Sequence, residues 1–362
     1  MESIPCIVIG GGVIGLAIAK SLSQHMECCV LEQATHIGTQ TSSRNSGVIH
    51  AGIYYPSDFL KTTLCVAGNK QLYAYCQTHN ISHQACGKLI IAHSEDEVVK
   101  LKALQSKAAS NGVDLVWLDH TALSKKEPQL QAHAALYSAS SGIIDVAHYL
   151  QQLSADIENN GSYVACQQQA TAITKNEHGF IVEINHKEKI QCQYLVNAAG
   201  LQAQTIAQLV GSKNTPKLYY CKGQYFAWHG ESPFSHLIYP LPLANNTGLG
   251  IHATLDTAGQ LRFGPDANYC KTIDYSNDDS AKIDFLQAIR RYFPEANVSR
   301  LKADFCGIRP KLSAQGQAMQ DFVIQDANQH GITGLIQLFG IESPGLTASL
   351  AIGDYVAERL LV

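Results

Sequence analysis

The chain has 362 residues, 46% of them hydrophobic, enough for one large or two ordinary domains with a full core. Its net charge of −4, without a long basic run, argues against a nucleic-acid partner. Eleven scattered cysteines without C-x-x-C spacing suit reduced thiols in the cytoplasm rather than a disulfide framework, and fifteen histidines without an H-E-x-x-H pattern give no metal to expect.

The chain opens on the apolar run Ile7-Val8-Ile9, a glycine turn with Gly10, Gly12 and Gly15 in G-x-G-x-x-G spacing, and helix-period residues Ile14, Leu16, Ile18, Ala19 and Leu22. Cys28-Cys29-Val30-Leu31 then reads as a second strand that ends in Glu32. The first glycine allows a tight turn, the second close approach of a pyrophosphate, and the third close packing of helix on strand. The helix N-terminus offers N–H groups to phosphate, and Glu32 stands where a carboxylate holds ribose hydroxyls, so the stretch predicts a dinucleotide, NAD or FAD. Only Met1-Glu2-Ser3 precedes it, too little for a signal-peptide n-region, and no run approaches the roughly twenty apolar residues of a bilayer span. The expectation is a protein without a transmembrane segment, with at most peripheral contact with a membrane.

A polar segment follows, through Ser42, Ser43, Arg44, Asn45, Ser46 and Gly47, and runs straight into Val48-Ile49-His50-Ala51-Gly52-Ile53-Tyr54-Tyr55. Its small hydroxyl and amide side chains suit a loop against a polyanionic ligand. Leu60 to Gln77 has helical periodicity, Gly87 to Ala92 reads as a strand, and Ser94 caps a helix running to about Ser110. Val113 to Leu118 is expected as a strand. Lys125-Lys126-Glu127-Pro128 begins an irregular connection, with the two lysines on a solvated face.

After Gly142 to Asp145 comes a helix from Val146 to Asn159, then strands at 163–168, 170–175, 180–185 and 194–200. The last ends in Ala199 and Gly200 before a helix from Gln202 to Leu209, a second place for backbone to approach a ligand. From Pro216 alternating strands with aromatics (218–228, 236–241, 248–255, 260–264) predict an antiparallel sheet, with turns at 244–248 and 257–259. A helix from about Asp279 to Tyr292 and a strand from Leu301 to Gly307 come next. The chain closes with a strand to Phe339 and a helix from Leu346, whose start at Gly345, Leu346 and Thr347 offers another helix N-terminus. The order implies two interleaved domains: a doubly wound α/β domain from the start, middle and end, and an antiparallel sheet with helices from two insertions.

The segments 10–32, 195–200 and 339–347 resemble the FAD-binding segments of the D-amino-acid-oxidase-like FAD-dependent oxidoreductases. More narrowly, residues 43–55 resemble the L-2-hydroxyglutarate dehydrogenase/oxidase family, as do Cys86 to Ile90, Lys222 to Phe226, Gly248 to His252, Arg262 to Asp266 and Gly307 to Lys311. The resemblance implies an α/β fold, a Rossmann-like FAD-binding domain (1–80, 143–215 and 305–362) with an interleaved antiparallel-sheet α+β substrate domain (81–142 and 216–304). It implies FAD rather than NAD and oxidation of a 2-hydroxy acid, L-2-hydroxyglutarate to 2-oxoglutarate, by hydride transfer to flavin N5. Oxygen, a quinone or another flavoprotein would be the electron acceptor, in the cytoplasm or peripherally at the inner membrane. An amine-oxidising relative of the glycine, sarcosine or amino-acid oxidase type, or a binding protein on the same fold without enzymatic activity, are the alternatives.

Such a substrate needs a cation for its carboxylate, and Arg309 in Gly307-Ile308-Arg309-Pro310 is the first candidate, matching the carboxylate-binding arginine of amino-acid oxidases in the wider family. Tyr239 is a candidate phenol donor, and Lys222, with Lys88 and Arg262 behind it, a candidate for a distal carboxylate. Loss of the hydroxyl proton calls for a base near neutrality, and His50 and His252 stand in family-like motifs. The N–H groups at Gly345, Leu346 and Thr347 would face the flavin pyrimidine, and the Ser42 to Gly47 loop would lie along pyrophosphate and ring.

Overall fold

A computed structural model describes residues 2–241 and 250–361. The first strand, Glu2–Ile9, is buried throughout its second half because its apolar residues run without alternation, the pattern of a strand covered on both faces. It pairs in parallel with Cys28–Glu32 on one side and Glu188–Asn197 on the other. Tyr163–Cys166 extends the sheet beyond Cys28–Glu32, and Leu335–Phe339 lies parallel to the end of Glu188–Asn197. The antiparallel ladder of Ala170–Asn176 and Gly179–Ile184 completes one side.

Parallel strands need crossovers, and here helices supply them. Val13–Leu22, Leu60–Thr78, Val146–Asn159 and Gly345–Leu361 share one core with Val8, Val30, Val196 and Ile336 of the sheet. Ile7, Ile9, Leu31 and Leu195 point to the opposite face, into a second core with Phe180, Val182 and Ile206. The last helix comes close to two others because glycine stands at the crossings. A Cβ on Gly353 would lie 2.5 Å from the Ala17 carbonyl oxygen, and one on Gly68 would overlap the carbonyl of Thr347. Among the described residues no helix is long and apolar enough to cross a membrane.

Among the described residues the second sheet has nine strands, over an aromatic core of Phe226, Trp228, Phe263, Phe285, Tyr292 and Phe293. Every pairing described in it is antiparallel except one, Leu237–Pro240 alongside Lys88–Ala92, so the two insertions join through a parallel seam. The connection expected to be irregular from Lys125 is so over 127–133, but it lies between two elements that the sequence reading does not include. Asp119 caps a helix His120–Lys126, and Ala134–Ser138 pairs with Lys88–Ala92. Lys126 is not on a solvated face, since its Nζ lies 4.3 Å from the Tyr137 ring centroid. The strand expected from Val113 begins at Val116.

The boundary expected at 305 falls inside the strand Leu301–Lys311, which pairs along its length with Tyr219–Trp228. Arg309 therefore belongs to the second sheet. A small sheet of Val48–Ile49, Gly142–Ile144 and His83–Gln84 contains the two crossings into and out of the first insertion. The expected turn at 244–248, and Gly248 and Leu249 of the expected strand, lie outside the described residues; the strand described there is Ala253–Leu255.

Candidate active site

One cleft is lined from both sheets. On the first sheet, Gly10 adopts φ +114°, and a Cβ there would stand 2.5 Å from the Ala198 carbonyl oxygen, so only glycine makes this turn. A Cβ on Gly15 would overlap the Gly10 carbonyl; that glycine serves helix–strand packing and does not reach the cleft. Gly12 is the N-cap of Val13–Leu22 and has no side chain to satisfy the helix. Ser42 comes across the cleft wall to do so, its Oγ accepting from Val13 N at 2.9 Å. Glu32 is fixed by Gly11 N at 2.8 Å and Ala34 N at 2.8 Å.

The loop after Gly38 divides into two groups. Thr39, Thr41, Ser42, Arg44, Asn45 and Ser46 line the cleft. Ser43 and Gly47, expected with them, do not. Ser43 is exposed and its hydroxyl donates to the Gln40 carbonyl, while Gly47 makes a turn at φ +61° whose carbonyl accepts from Ile144 N. Ala199, Gly200, Gly345 and Leu346 also line the cleft. Thr347 is fully buried behind it: Oγ1 accepts from His50 N at 2.9 Å and donates to Val48 O at 3.3 Å, so its side chain fixes His50 instead of facing a ligand.

The second sheet contributes Gly223, Tyr225, Tyr239, Ile308 and Arg309, joined by His50 and His252. Arg309 donates to the carbonyls of Asp266, Cys221 and Lys222, and among the described residues it enters no ion pair. Its charge is thus placed by backbone carbonyls at the cleft. Lys222 is not brought to the site. Side chains alternate along a strand, so with Gly223 and Tyr225 facing the cleft Lys222 points away, 3.0 Å from Asp274. Arg262 is held by Asp256 and Asp304.

His50 has a contact at each ring nitrogen, Nδ1 3.3 Å from Lys88 Nζ and Nε2 3.2 Å from Ser343 Oγ. Burial, then the charges of Lys88 and His252, push its pKa well below the usual histidine value, so the ring is neutral. Tyr239 stacks on His252 at 3.7 Å between centroids, and burial pushes its phenol up, keeping it a donor. Ser343, Gln168 and Gln169 line the cleft without any sequence pattern that singles them out, and Tyr225 lines it from within the family-like segment Lys222 to Phe226. Lys88, expected at most to reach a distal carboxylate, stands instead beside His50. Its signal in the sequence is a lysine heading the otherwise apolar run Lys88-Leu89-Ile90-Ile91-Ala92, every residue of which is buried.

The donor set fits a dinucleotide: a helix N-terminus whose N-cap, Gly12, brings no side chain of its own, a fixed carboxylate at Glu32, a hydroxyl-lined wall, and a tight turn at Gly10. A family described as "FAD dependent oxidoreductase" matches residues 6–359. The chain is 36% identical to the mitochondrial L-2-hydroxyglutarate dehydrogenase of Arabidopsis thaliana, across 99% of this chain and 84% of that protein. It is 25% identical to the L-2-hydroxyglutarate dehydrogenase of Escherichia coli strain K12, across 98% and 92%. Its fold matches the FAD-bound L-α-glycerophosphate oxidase of Mycoplasma pneumoniae with a TM-score of 0.89 at 26% identity, covering 100% of this chain and 95% of that one. The chain belongs to the FAD-dependent oxidoreductases of the D-amino-acid-oxidase-like type, related within them to the L-2-hydroxyglutarate dehydrogenases, and its cofactor is FAD.

Proposed function

We propose that this enzyme oxidises the hydroxyl-bearing carbon of an L-2-hydroxy acid, converting L-2-hydroxyglutarate to 2-oxoglutarate. One juxtaposition carries the reading: a guanidinium without an ion-pair partner among the described residues, Arg309, and a half-buried neutral imidazole, His50, line the same cleft. The names of the relatives support the same substrate. Arg309 offers the carboxylate its charge and Nη1, the nitrogen not engaged with the carbonyls of Cys221, Lys222 and Asp266, and Tyr239, held in plane by His252, donates to it. His50 takes the hydroxyl proton. FAD, when bound, accepts the hydride from the same carbon.

The helix start after Gly12, Glu32, and the Thr39 to Ser46 wall would hold the ADP half of FAD. Gly345 and Leu346 would face its ring. Tyr225 ties this wall to the second sheet through a 3.0 Å contact between its hydroxyl and Ser46 Oγ.

Anaerobic titration tests the substrate. L-2-hydroxyglutarate is expected to bleach the bound flavin, while the D-enantiomer, glycine, L-proline and glycerol 3-phosphate leave it coloured. Bleaching by an amino acid or by glycerol 3-phosphate, and not by L-2-hydroxyglutarate, overturns the assignment. Oxygen, a quinone or another flavoprotein closes the turnover, and comparing aerobic turnover with anaerobic turnover on a quinone analogue separates them. The same reading places the enzyme in the cytoplasm, and peripherally at the inner membrane where a quinone is the acceptor.

A further inference from the structure

Lys88 does not line the cleft, yet it is fully buried behind it. Its Nζ lies 3.3 Å from His50 Nδ1, 4.2 Å from the Tyr239 ring centroid and 5.8 Å from that of Tyr54. Among the described residues it enters no ion pair. The titratable groups facing the pair are His252, Tyr239, Tyr54, Cys65 on the helix Leu60–Thr78, and Cys86 just before the strand. Burial pushes both thiols up, Cys65 to about 12 and Cys86 to about 11, and both phenols too, so none of these supplies a counter-charge. A nitrogen-to-nitrogen contact of this kind needs one donor and one acceptor, and which is which depends on the lysine.

We propose that Lys88 is a positioning residue that sets the tautomer of His50, holding the imidazole proton on Nε2 while Lys88 is an ammonium and freeing Nε2 as proton acceptor once Lys88 is an amine. An ammonium has three donors and no lone pair, so it makes Nδ1 the acceptor and leaves Nε2–H facing Ser343 and the cleft. That tautomer accepts no proton from a substrate. An amine reverses the pair: Nδ1–H donates to the Nζ lone pair, and the lone pair of Nε2 faces the cleft. The substrate O–H bond then breaks as an N–H bond forms at Nε2, and the Nδ1–H bond breaks as an N–H bond forms at Nζ. The ring ends neutral and Lys88 ends as the cation, while the two electrons leave with the C–H hydride as in the reading above, on which this inference rests. Burial pushes Lys88 down to about 8, which puts the changeover close to working pH.

The test pairs turnover profiles with nitrogen-15 spectra of histidine-labelled holoenzyme, the His50 signals being identified by their loss in His50→Gln. In the unsubstituted enzyme kcat/KM is expected to rise about tenfold per pH unit below about 8 and then level. Over the same interval the Nδ1 and Nε2 resonances of His50 exchange character, with or without substrate. Lys88→Met removes the step from both readouts and lowers the plateau, because the relay loses its last proton acceptor. Lys88→Arg, a cation at every pH, keeps Nε2–H and lowers kcat/KM by more than about 100-fold. A His50 tautomer that does not change between about pH 7 and 9 overturns the proposal, and this spectrum decides even where Lys88→Arg fails to fold. So does an active Lys88→Arg beside an inactive Lys88→Met, the result of a role for charge alone. A tautomer change in an enzyme that does not turn over L-2-hydroxyglutarate rejects the substrate and supports the proposal.

Discussion

Arg309 and Lys88 are both cations without a carboxylate partner among the described residues, but they differ in what surrounds them. Arg309 is half-buried with its fork on backbone carbonyls, so replacing it with alanine removes the charge offered to a ligand and also takes a donor from the carbonyls of Cys221, Lys222 and Asp266. At about 1.5–3 kcal/mol for hydrogen bonds to a charged group, Arg309→Ala is expected to raise KM for L-2-hydroxyglutarate about 10- to 100-fold, measured by steady-state kinetics. Lys88, fully buried, is costly to keep. Its folded-state value of about 8 lies below the ordinary 10.5, so the unfolded chain holds the proton more tightly. The resulting penalty is full below about pH 8 and fades as the pH rises toward 10.5. Lys88→Met is therefore expected to gain about 3 kcal/mol at pH 7, read by denaturant unfolding, with the gain vanishing at alkaline pH. No gain at pH 7 would contradict the buried, unpaired amine. The same chemistry shows what composition hides: Lys222 and Lys88 both lie in strands rich in apolar residues, and only the neighbouring strands decide that one meets Asp274 and the other His50.

Among the elements, close approach of helices is written in glycine. In Gly353→Ala the new Cβ would meet the Ala17 backbone at 2.5 Å and Ser21 Oγ at 2.9 Å, and backbone does not yield. Overpacking of this kind costs about 1–3 kcal/mol, so the variant is expected to melt lower and to release FAD more readily, by thermal melting and flavin fluorescence; an unchanged melting temperature would mean that the helices part without cost. Elements with local signals are legible in the sequence. Ser94 and Asp145 cap helices where their side-chain chemistry says they should, accepting from Glu97 N and His148 N. The βαβ opening is plain for the same reason, its turn glycines and apolar runs being contiguous. The helix His120–Lys126 escapes a sequence reading because it is two turns long with a single buried residue, Leu123. Ala134–Ser138 escapes it because its two alanines give a weak strand signal and pairing with Lys88–Ala92 holds it in place. The parallel seam between Lys88–Ala92 and Leu237–Pro240 joins segments far apart in the chain, and no local pattern reports such a pairing. Thr347 shows the same limit at the site, since its place at a helix start suggests a ligand contact while its hydroxyl is taken by the strand before His50.

At the scale of the whole molecule, the cleft lies between two sheets that each have their own core, and FAD bound there would touch both. Removing the flavin is expected to lower the melting temperature, and FAD at about 100 times its Kd to restore about 2.7 kcal/mol, while NAD restores none; equal rescue by NAD would contradict the cofactor fit. The last helix sets a further condition, one of timing. Gly345 and Leu346 line the cleft, Thr347 anchors the backbone of His50, and the rest of the helix covers the first and second helices of the chain. None of these contacts exists while the ribosome is still adding residue 340. A chain ending at residue 340 would therefore lack one wall of the cleft and the hydroxyl that anchors the His50 backbone.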